Sequence, residues 1–419
     1  METTYIRPLG RAAATCCFAA LSLALVACNG GREGLSAPSR AEDGGYLLAG
    51  AAKRSVVPTQ SQIDGEEESR LGGTTTVQNF HLGGFGIGPL QNLPDPFNVD
   101  LTEPAGAPVY VNAQGEEEKT WLRALLLQDP TSQEQVLFLT LDAIGAGNII
   151  QNSLKAAVSA AIGIPEDNIL FGQTHTHAGA DLQGLWGGVP QSWIDSLYLQ
   201  AVEAAVQAQA ELRPVQLDYR RSELEQFNNY RRPRVFQDID ADTTASVLTA
   251  RSLDDDSVVA TLLQYNAHPT SVGAGENPRI PHPDYPLGAV EQLEQRGGVA
   301  LYYNGPIADA SGSGGSCEGE VYVRVRCRGQ ELALAALEAE STLLEPSLSV
   351  RHATAYLPIT NPLFTGLGLV GSFNRYYNFT ELPVDAIPGL GEQAYALPQL
   401  APYGVTTISR ITIGEHLEI

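Results

Sequence analysis

Basic residues are scarce in this chain: 25 Lys and Arg stand against 48 Asp and Glu among 419 residues, a formal charge of −23. So acidic a balance would repel a phosphate backbone rather than neutralise it, which argues against nucleic acid as a partner. Charge of either sign is thin, at 17% of residues, while apolar residues reach 43%, so wholesale disorder is excluded. Long apolar runs are lacking as well. No stretch of eighteen or more apolar residues occurs, which excludes a multi-span membrane protein. There is no internal repeat and no CxxC pair, and no Gly-Lys-Ser/Thr follows the Gly-rich segment 311–316, so a nucleotide-binding P-loop has no support. What is present is length for one large domain or two ordinary ones, with residues enough for a buried core.

The first residues read as an export address. Arg7 and Arg11 form a basic start, and Ala12 to Ala27 is an apolar stretch of small residues, Leu and Phe. It closes on Leu25-Val26-Ala27-Cys28, which resembles a bacterial lipobox, where the Cys thiol is lipidated and the peptide is cut before it. Residues 1–27 are therefore expected to be a lipoprotein signal peptide, with Cys28 anchoring the mature protein to a membrane without spanning it. Asn29 follows with no inner-membrane retention signal, so the expected address is the outer membrane, on its periplasmic or cell-surface face. Residues 28–45, rich in Gly, Ser, Ala, Arg and Glu, suit a flexible tether, and order is expected from about Tyr46. Once Cys16, Cys17 and Cys28 are accounted for, Cys317 and Cys327 remain, flanking the alternating stretch Val321–Val325. In an oxidising compartment they are expected to form a local disulfide, with a Cys-based metal site as the alternative.

From about Gly115 onward, short apolar runs alternate with helical spacing, the pattern of an α/β fold. Val136 to Leu141 is a continuous apolar run, as in a strand buried on both faces. Ile149 to Ile162 has helical spacing ended by Gly163-Ile164-Pro165, and Asn168 to Thr174 reads as the next strand. Such a unit implies parallel strands joined by a right-handed crossover. The expected core is a mixed, largely parallel sheet with helices on its faces.

Polar residues collect where strands end. The strand through Ile169 runs into His175-Thr176-His177, Val258 to Tyr265 runs into His268-Pro269-Thr270-Ser271, and Val299 to Tyr303 runs into Asn304 to Ser311. Ligands of open α/β sheets bind beyond the carboxyl ends of strands, so three strands delivering His, His and Asp/Ser converge on one candidate metal site. His175 and His177, two apart on extended chain, would project from one face. They offer two ligands to one metal, or one ligand and a neighbour for acid–base work. His268 is a third candidate ligand, while His81, His282, His352 and His416 lack comparable context and read as structural or surface residues. Asp309 and Ser311 border a Gly/Ser-rich segment that is either a linker or a presenter of backbone N–H groups to an oxyanion. Arg231, in a polar stretch of an acidic protein, is either a solvated cation or a group that holds a carboxylate.

Taken in order, these segments resemble the N-terminal catalytic domain of the neutral/alkaline non-lysosomal ceramidases, zinc amidases that cleave ceramide to a sphingoid base and a fatty acid. Gly172-Gln173-Thr174-His175-Thr176-His177-Ala178-Gly179 resembles the family's Thr-His-Thr-His-Ser-Gly segment, and Ala267 to Ser271 its His-Pro-Thr-Ser element. Asn228 to Pro233 resembles its Asn-x-x-Arg-Ser-Pro stretch, Asp284-Tyr285-Pro286 its Asp-Tyr-Pro-Gly, and Ala308 to Ser311 its Gly-Asp-x-Ser-Pro-Asn. The resemblance implies a zinc cofactor held by His175 and His268, with His177 a close partner of the ligands. It further implies that Arg231 holds or polarises the substrate, and that Ser311, with Asp309 in the same loop, lies near the scissile amide. The implied chemistry is zinc-assisted amide hydrolysis of a ceramide-like lipid.

Departures from the family pattern are Ala308 for Gly, Gly312 for Pro and Ser313 for Asn. The family takes two further zinc ligands, a Glu and a Tyr, from segments beyond the last strand read here. Ile408 to Ile419 reads as a strand, a tight turn at Gly414 and a return strand, and the family's Pro-Gly-Glu segment would come next. The expected organisation is thus a tether followed by one ceramidase-like catalytic domain over 46–419, incomplete at its C-terminus. The competing readings are an inactive ceramidase-like binding lipoprotein and a metal-dependent esterase or deacylase of other lipids.

Overall fold

The computed structural model describes residues 45–64, 66–68, 76–78, 80–84, 119–183, 188–230, 242–272, 280–307, 310–358, 403–415 and 417–419. The chain opens with Leu47–Ser55 (β1), a short helix Gln60–Asp64 (α1) and the paired Glu66–Glu68 (β2) and Thr76–Gln78 (β3). Leu82–Gly83 (β4) precedes the hairpin of Trp121–Gln128 (β5) and Gln135–Leu141 (β6), the latter the apolar run read from the sequence. Ala143–Ala146 (β7) leads into the helix Asn148–Ile162 (α2), which Gly163 ends as expected. Ile169–Gln173 (β8), Gly179–Leu182 (β9) and Gln191–Ala210 (α3) complete this half. The second half runs Arg213–Glu223 (β10), Asn228–Tyr230 (β11), Thr244–Ser252 (β12), Val258–Tyr265 (β13), Tyr285–Glu294 (α4) and Val299–Asn304 (β14). Ala310–Gly312 (β15), Val321–Leu337 (α5) and Thr342–Leu343 (β16) follow, and Leu348–Pro358 (β17), Tyr403–Ile413 (β18) and Leu417–Glu418 (β19) form a sheet of their own.

The main sheet is mixed, in the order β14-β13-β12-β10-β1-β5-β6-β8, with β16 beside β10. Parallel pairing takes a smaller share than the sequence led us to expect. It is confined to the two outer pairs, β13 with β14 and β6 with β8, and every pairing between them is antiparallel. Connection length explains this: residues 129–134 join β5 to β6 and 253–257 join β12 to β13, too few for a crossover helix. Only where α2 or α4 intervenes do successive main-sheet strands run parallel.

Both faces of the sheet are buried, and against different partners. Leu122, Leu126, Leu137 and Leu139 pack under α2 and α3 with Leu154, Val158, Ala201 and Ala205. Their sequence neighbours Leu125, Leu127, Val136 and Phe138 meet Leu217, Leu248, Leu262 and Leu301 from the other half of the same sheet. The outer face of that other half packs on α4 and α5 through Val247, Leu263, Tyr302, Leu293 and Leu332. The sheet therefore folds over on itself, giving four layers of helix, half-sheet, half-sheet and helix.

That folding joins the two edges. The Tyr303 hydroxyl of β14 sits 2.8 Å from both the Leu139 carbonyl of β6 and the Leu170 carbonyl of β8, sharing its one hydrogen between them. Gly172 makes room for the ring, since a Cβ there would lie 2.4 Å from Tyr303 Cε1. Beside it the Asn304 side-chain amide donates to the Thr174 carbonyl. Val321–Val325, which alternates as a strand would, is instead the start of α5: Val325 is fully buried in the cluster shared with α4, and tertiary packing outweighs the local β preference. Among the described residues no helix is long and apolar enough to cross a membrane.

Candidate metal centre

The joined edges place the ends of β8, β13 and β14 side by side, and the histidines follow. β8 stops at Gln173, and the segment beyond it is not extended as the sequence suggested, because His175 adopts φ +59. This left-handed conformation costs on the order of 1–3 kcal/mol unless its surroundings hold it. Here the His175 Nδ1 lies 2.6 Å from the Ile144 carbonyl of β7, which fixes the ring. The His177 backbone N–H donates to Pro269 O at 3.1 Å, tying this loop to the one after β13. His268 in turn donates its backbone N–H (3.0 Å) and sets its Nδ1 (2.9 Å) against Ala310 O, while Gly312 N–H donates to His268 O. These bonds form a parallel bridge between His268 and Ser311.

Three imidazoles result, with ring centroids 4.8 Å apart for His175 and His268, 5.2 Å for His175 and His177, and 5.6 Å for His177 and His268. One ring nitrogen from each lies within 4.8 Å of the others, so the group can hold a metal ion. The donor chemistry fits. A carbonyl oxygen only accepts, so the Nδ1 atoms of His175 and His268 carry the hydrogen and each Nε2 keeps its lone pair, the form in which imidazole ligates. The His177 ring packs on the backbone at Gly84, just past β4, where a Cβ would come within 2.5 Å of it.

Behind the rings stands a layer the sequence did not disclose. Thr176 is fully buried and its hydroxyl donates to His282 O at 2.7 Å. His282, also fully buried, donates its N–H to Ala178 O and accepts from Asp284 N–H through Nδ1 at 2.8 Å. Burial, with Arg326 and Lys119 adding to it, lowers the His282 pKa to about 3, so this imidazole is neutral. Asp284, at φ +65, accepts from the backbone N–H groups of Ser271, Val272 and Tyr285 at 2.7 Å each, and Tyr285 OH donates to Ala267 O at 2.6 Å. Asp284 and Tyr285 thereby brace both sides of His268. Burial pushes the Asp284 carboxyl above its ordinary range, against those three donors. Asp142 is raised in the same way, opposed by Arg123 at 3.2 Å. The Asp-Tyr-Pro motif was visible in the sequence, but its bracing role depends on a positive φ that no residue pattern announces.

Of the residues singled out from the sequence, His175, His177, His268 and Ser311 come together. The Gly-rich segment is held in place rather than left as a linker. Ser311 lies in β15, paired with Asn229 of β11, and Ser313 N–H donates to Phe227 O. Arg328 of α5 reaches Gly312 O at 3.3 Å and the Ser271 hydroxyl at 3.1 Å, and Glu331 accepts from Ser316. Cys317 and Cys327 form the expected disulfide, with Cα atoms 5.8 Å apart. His81 is buried, and His352 contacts Asn168 and Ser409 far from the three rings in the fold. Arg231, Asp309, His416 and Cys28, with all of residues 1–44, over which the signal peptide and tether were expected, lie outside the described residues.

Fold and site together define a mixed α/β protein with a three-histidine group able to hold a metal. No protein-family model and no curated protein matches the sequence. Solved structures do match: neutral ceramidase from Pseudomonas aeruginosa, at TM-score 0.58 and 17% identity, covering 89% of this chain and 61% of that one. A ceramidase complexed with C2 matches at TM-score 0.58 and 16% identity, covering 89% and 62%. At such identities the likeness is one of fold. The fold is ceramidase-like, and the chain spans about three-fifths of the length of those two ceramidases.

Proposed function

We propose that this protein is a zinc-dependent amide hydrolase of neutral-ceramidase type, acting on the N-acyl bond of ceramide or a related N-acyl lipid. The observation that carries the reading is the convergence of His175, His177 and His268 at the joined strand ends of a ceramidase-like fold, two of them with Nε2 lone pairs fixed by backbone carbonyls. His175 and His268 are the proposed zinc ligands, with His177 beside them as their partner. Bound there, zinc would supply a Lewis acid for the acyl carbonyl and a lowered pKa for water. Ser311, held against His268 by the parallel bridge, presents its hydroxyl to the scissile amide with Asp309 in the same loop, and the resemblance assigns Arg231 to holding or polarising the substrate. A lipid anchor at Cys28 would keep the enzyme at the surface where such substrates reside, on the outer membrane of a bacterium.

The protein, supplied with zinc, should release fatty acid from an N-acylsphingosine, lose that activity to a chelator and regain it with added zinc. Absence of hydrolysis with every N-acyl lipid tried, at full zinc occupancy, would sink the proposal. Cys28→Ser should move the protein from the membrane to the soluble fraction, and an unchanged membrane fraction would remove the anchor from the reading.

A further inference from the structure

A second polar cluster lies away from the histidines, on the half-sheet that carries α4 and α5. Asp218 of β10 accepts from Arg220 Nη1, from Arg251 Nε of β12 at 3.2 Å and from the Ser341 hydroxyl at 2.9 Å. All three of these charged side chains are largely shielded, at 10%, 15% and 22% exposure for Asp218, Arg220 and Arg251. A third arginine joins them from the turn between α4 and β14. That turn presses on β13, since a Cβ on Gly298 would lie 2.6 Å from Val258 O, and Val258 is the cross-strand partner of Arg251. Arg296, two residues before Gly298, is thereby set beside Arg251 and Arg220. Burial holds its guanidinium below the ordinary value, and the like charges of Arg251 and Arg220 add to that.

Three guanidinium groups thus lie near one carboxylate that hydrogen-bonds only two of them, in a chain whose net charge is −23. Elsewhere two of the shielded arginines each have an acid of their own, Arg123 with Asp142 and Arg326 with Glu291. At this cluster Arg220 Nε and Arg296 Nη1 are buried, and no hydrogen-bond partner meets them among the described residues. Leaving buried N–H donors of a cation unmatched is costly, and a planar guanidinium is suited to two-point contact with an oxyanion. Position separates this cluster from the metal centre. Arg251 pairs with the start of β13 and Arg296 precedes β14, whereas the histidine site lies past the far ends of those strands.

We propose that Arg220, Arg251 and Arg296 form an anion-binding site for a phosphate-class oxyanion, with Asp218 holding two of the guanidiniums in register until the anion binds. The ligand chemistry is a tetrahedral phosphoryl group, whether free or on a lipid headgroup. Thermal unfolding of the whole protein in low millimolar inorganic phosphate tests it, against sodium chloride at matched ionic strength. Phosphate should raise Tm saturably and beyond chloride. Arg296→Gln, which removes no described side-chain hydrogen bond, should weaken the response by about tenfold or more. Asp218→Asn should act in the opposite sense and strengthen it, because it removes the competing carboxylate. A phosphate response no larger than that of chloride would overturn the site, as would one that survives Arg296→Gln and therefore arises elsewhere, the histidine group included. Sedimentation with phosphatidylcholine vesicles, with and without phosphatidylglycerol, identifies the source. Pelleting with anionic vesicles that depends on Arg296 marks a headgroup, whereas a phosphate response without it marks a free oxyanion.

Discussion

At His175 two demands meet: the chain must leave β8, and the ring must turn its Nε2 toward His268 while Nδ1 bonds to Ile144 O. The left-handed φ satisfies both. Alanine at His175 or His268 should therefore cost zinc affinity beyond the roughly 10- to 100-fold that loss of an outer partner costs, whereas His177→Ala should stay within that range. Zinc competition with a chromophoric chelator measures all three, and equal losses would promote His177 to a ligand. His282 gives a prediction in pH. Its folded pKa, about 3, lies below the ordinary 6.5, so the unfolded chain binds the extra proton between those values. The stability contributed by neutral His282 is complete above pH 6.5 and falls as pH drops below it, at about 1.4 kcal/mol per pH unit. The raised Asp142 and Asp284 act in the opposite sense at low pH. The measurement is therefore the difference in urea stability between wild type and His282→Asn over pH 4–7. That difference should shrink as the solution is acidified.

At the scale of elements, the site depends on one contact between strands that are far apart in the main sheet. Tyr303 of β14 bonds to carbonyls of β6 and β8, and its ring fills the space left by Gly172. Tyr303→Phe keeps the ring and removes the hydroxyl, so urea unfolding should show a loss of about 0.5–1.5 kcal/mol, the worth of one shared hydrogen bond. Gly172→Ala overpacks the same contact and should cost about 1–3 kcal/mol. The disulfide fastens a second element, the loop between β15 and α5. Its sequence separation is 10 residues, for which chain entropy gives about 2.7 kcal/mol of stabilisation. Cys327→Ser should lower stability by that order and make the end of the Gly-rich segment near Ser316 protease-sensitive, because Glu331 would then be its remaining described side-chain tie to α5 there. Strands β6, β8, β13 and β14 and helix α2 were legible in the sequence, since runs such as Val136 to Leu141 are apolar enough for burial on both faces. The start of α5 was not, because its alternation favours a strand and only packing on α4 decides otherwise. Nor was the dominance of antiparallel pairing, which follows from the short links 129–134 and 253–257.

For the whole molecule, the histidine group spans loops from both halves of the folded-over sheet, so a metal bound there ties the halves together. Zinc at a hundredfold excess over its dissociation constant should add about 2.7 kcal/mol to unfolding stability, and His175→Ala should abolish the gain. Denaturant midpoints with and without zinc measure this independently of activity. The sequence by itself determined the acidic, low-charge composition, the strand–helix–strand unit of β6, α2 and β8, the Cys317–Cys327 pair and the residue types at the strand ends. Those features are local: a run of apolar side chains or a spacing of two histidines exists whether or not the chain folds. Tertiary structure alone decided that β14 meets β8, that His175 turns left-handed and that Asp284 and Tyr285 brace His268. It also set Arg251 beside Arg220 on Asp218, with Arg296 close to both. Each of these depends on at least one contact between residues 12 or more positions apart, and the longest, Tyr303 to Leu139, spans 164. Which partner wins such a contest is fixed by the folded-over sheet and by no short stretch of chain.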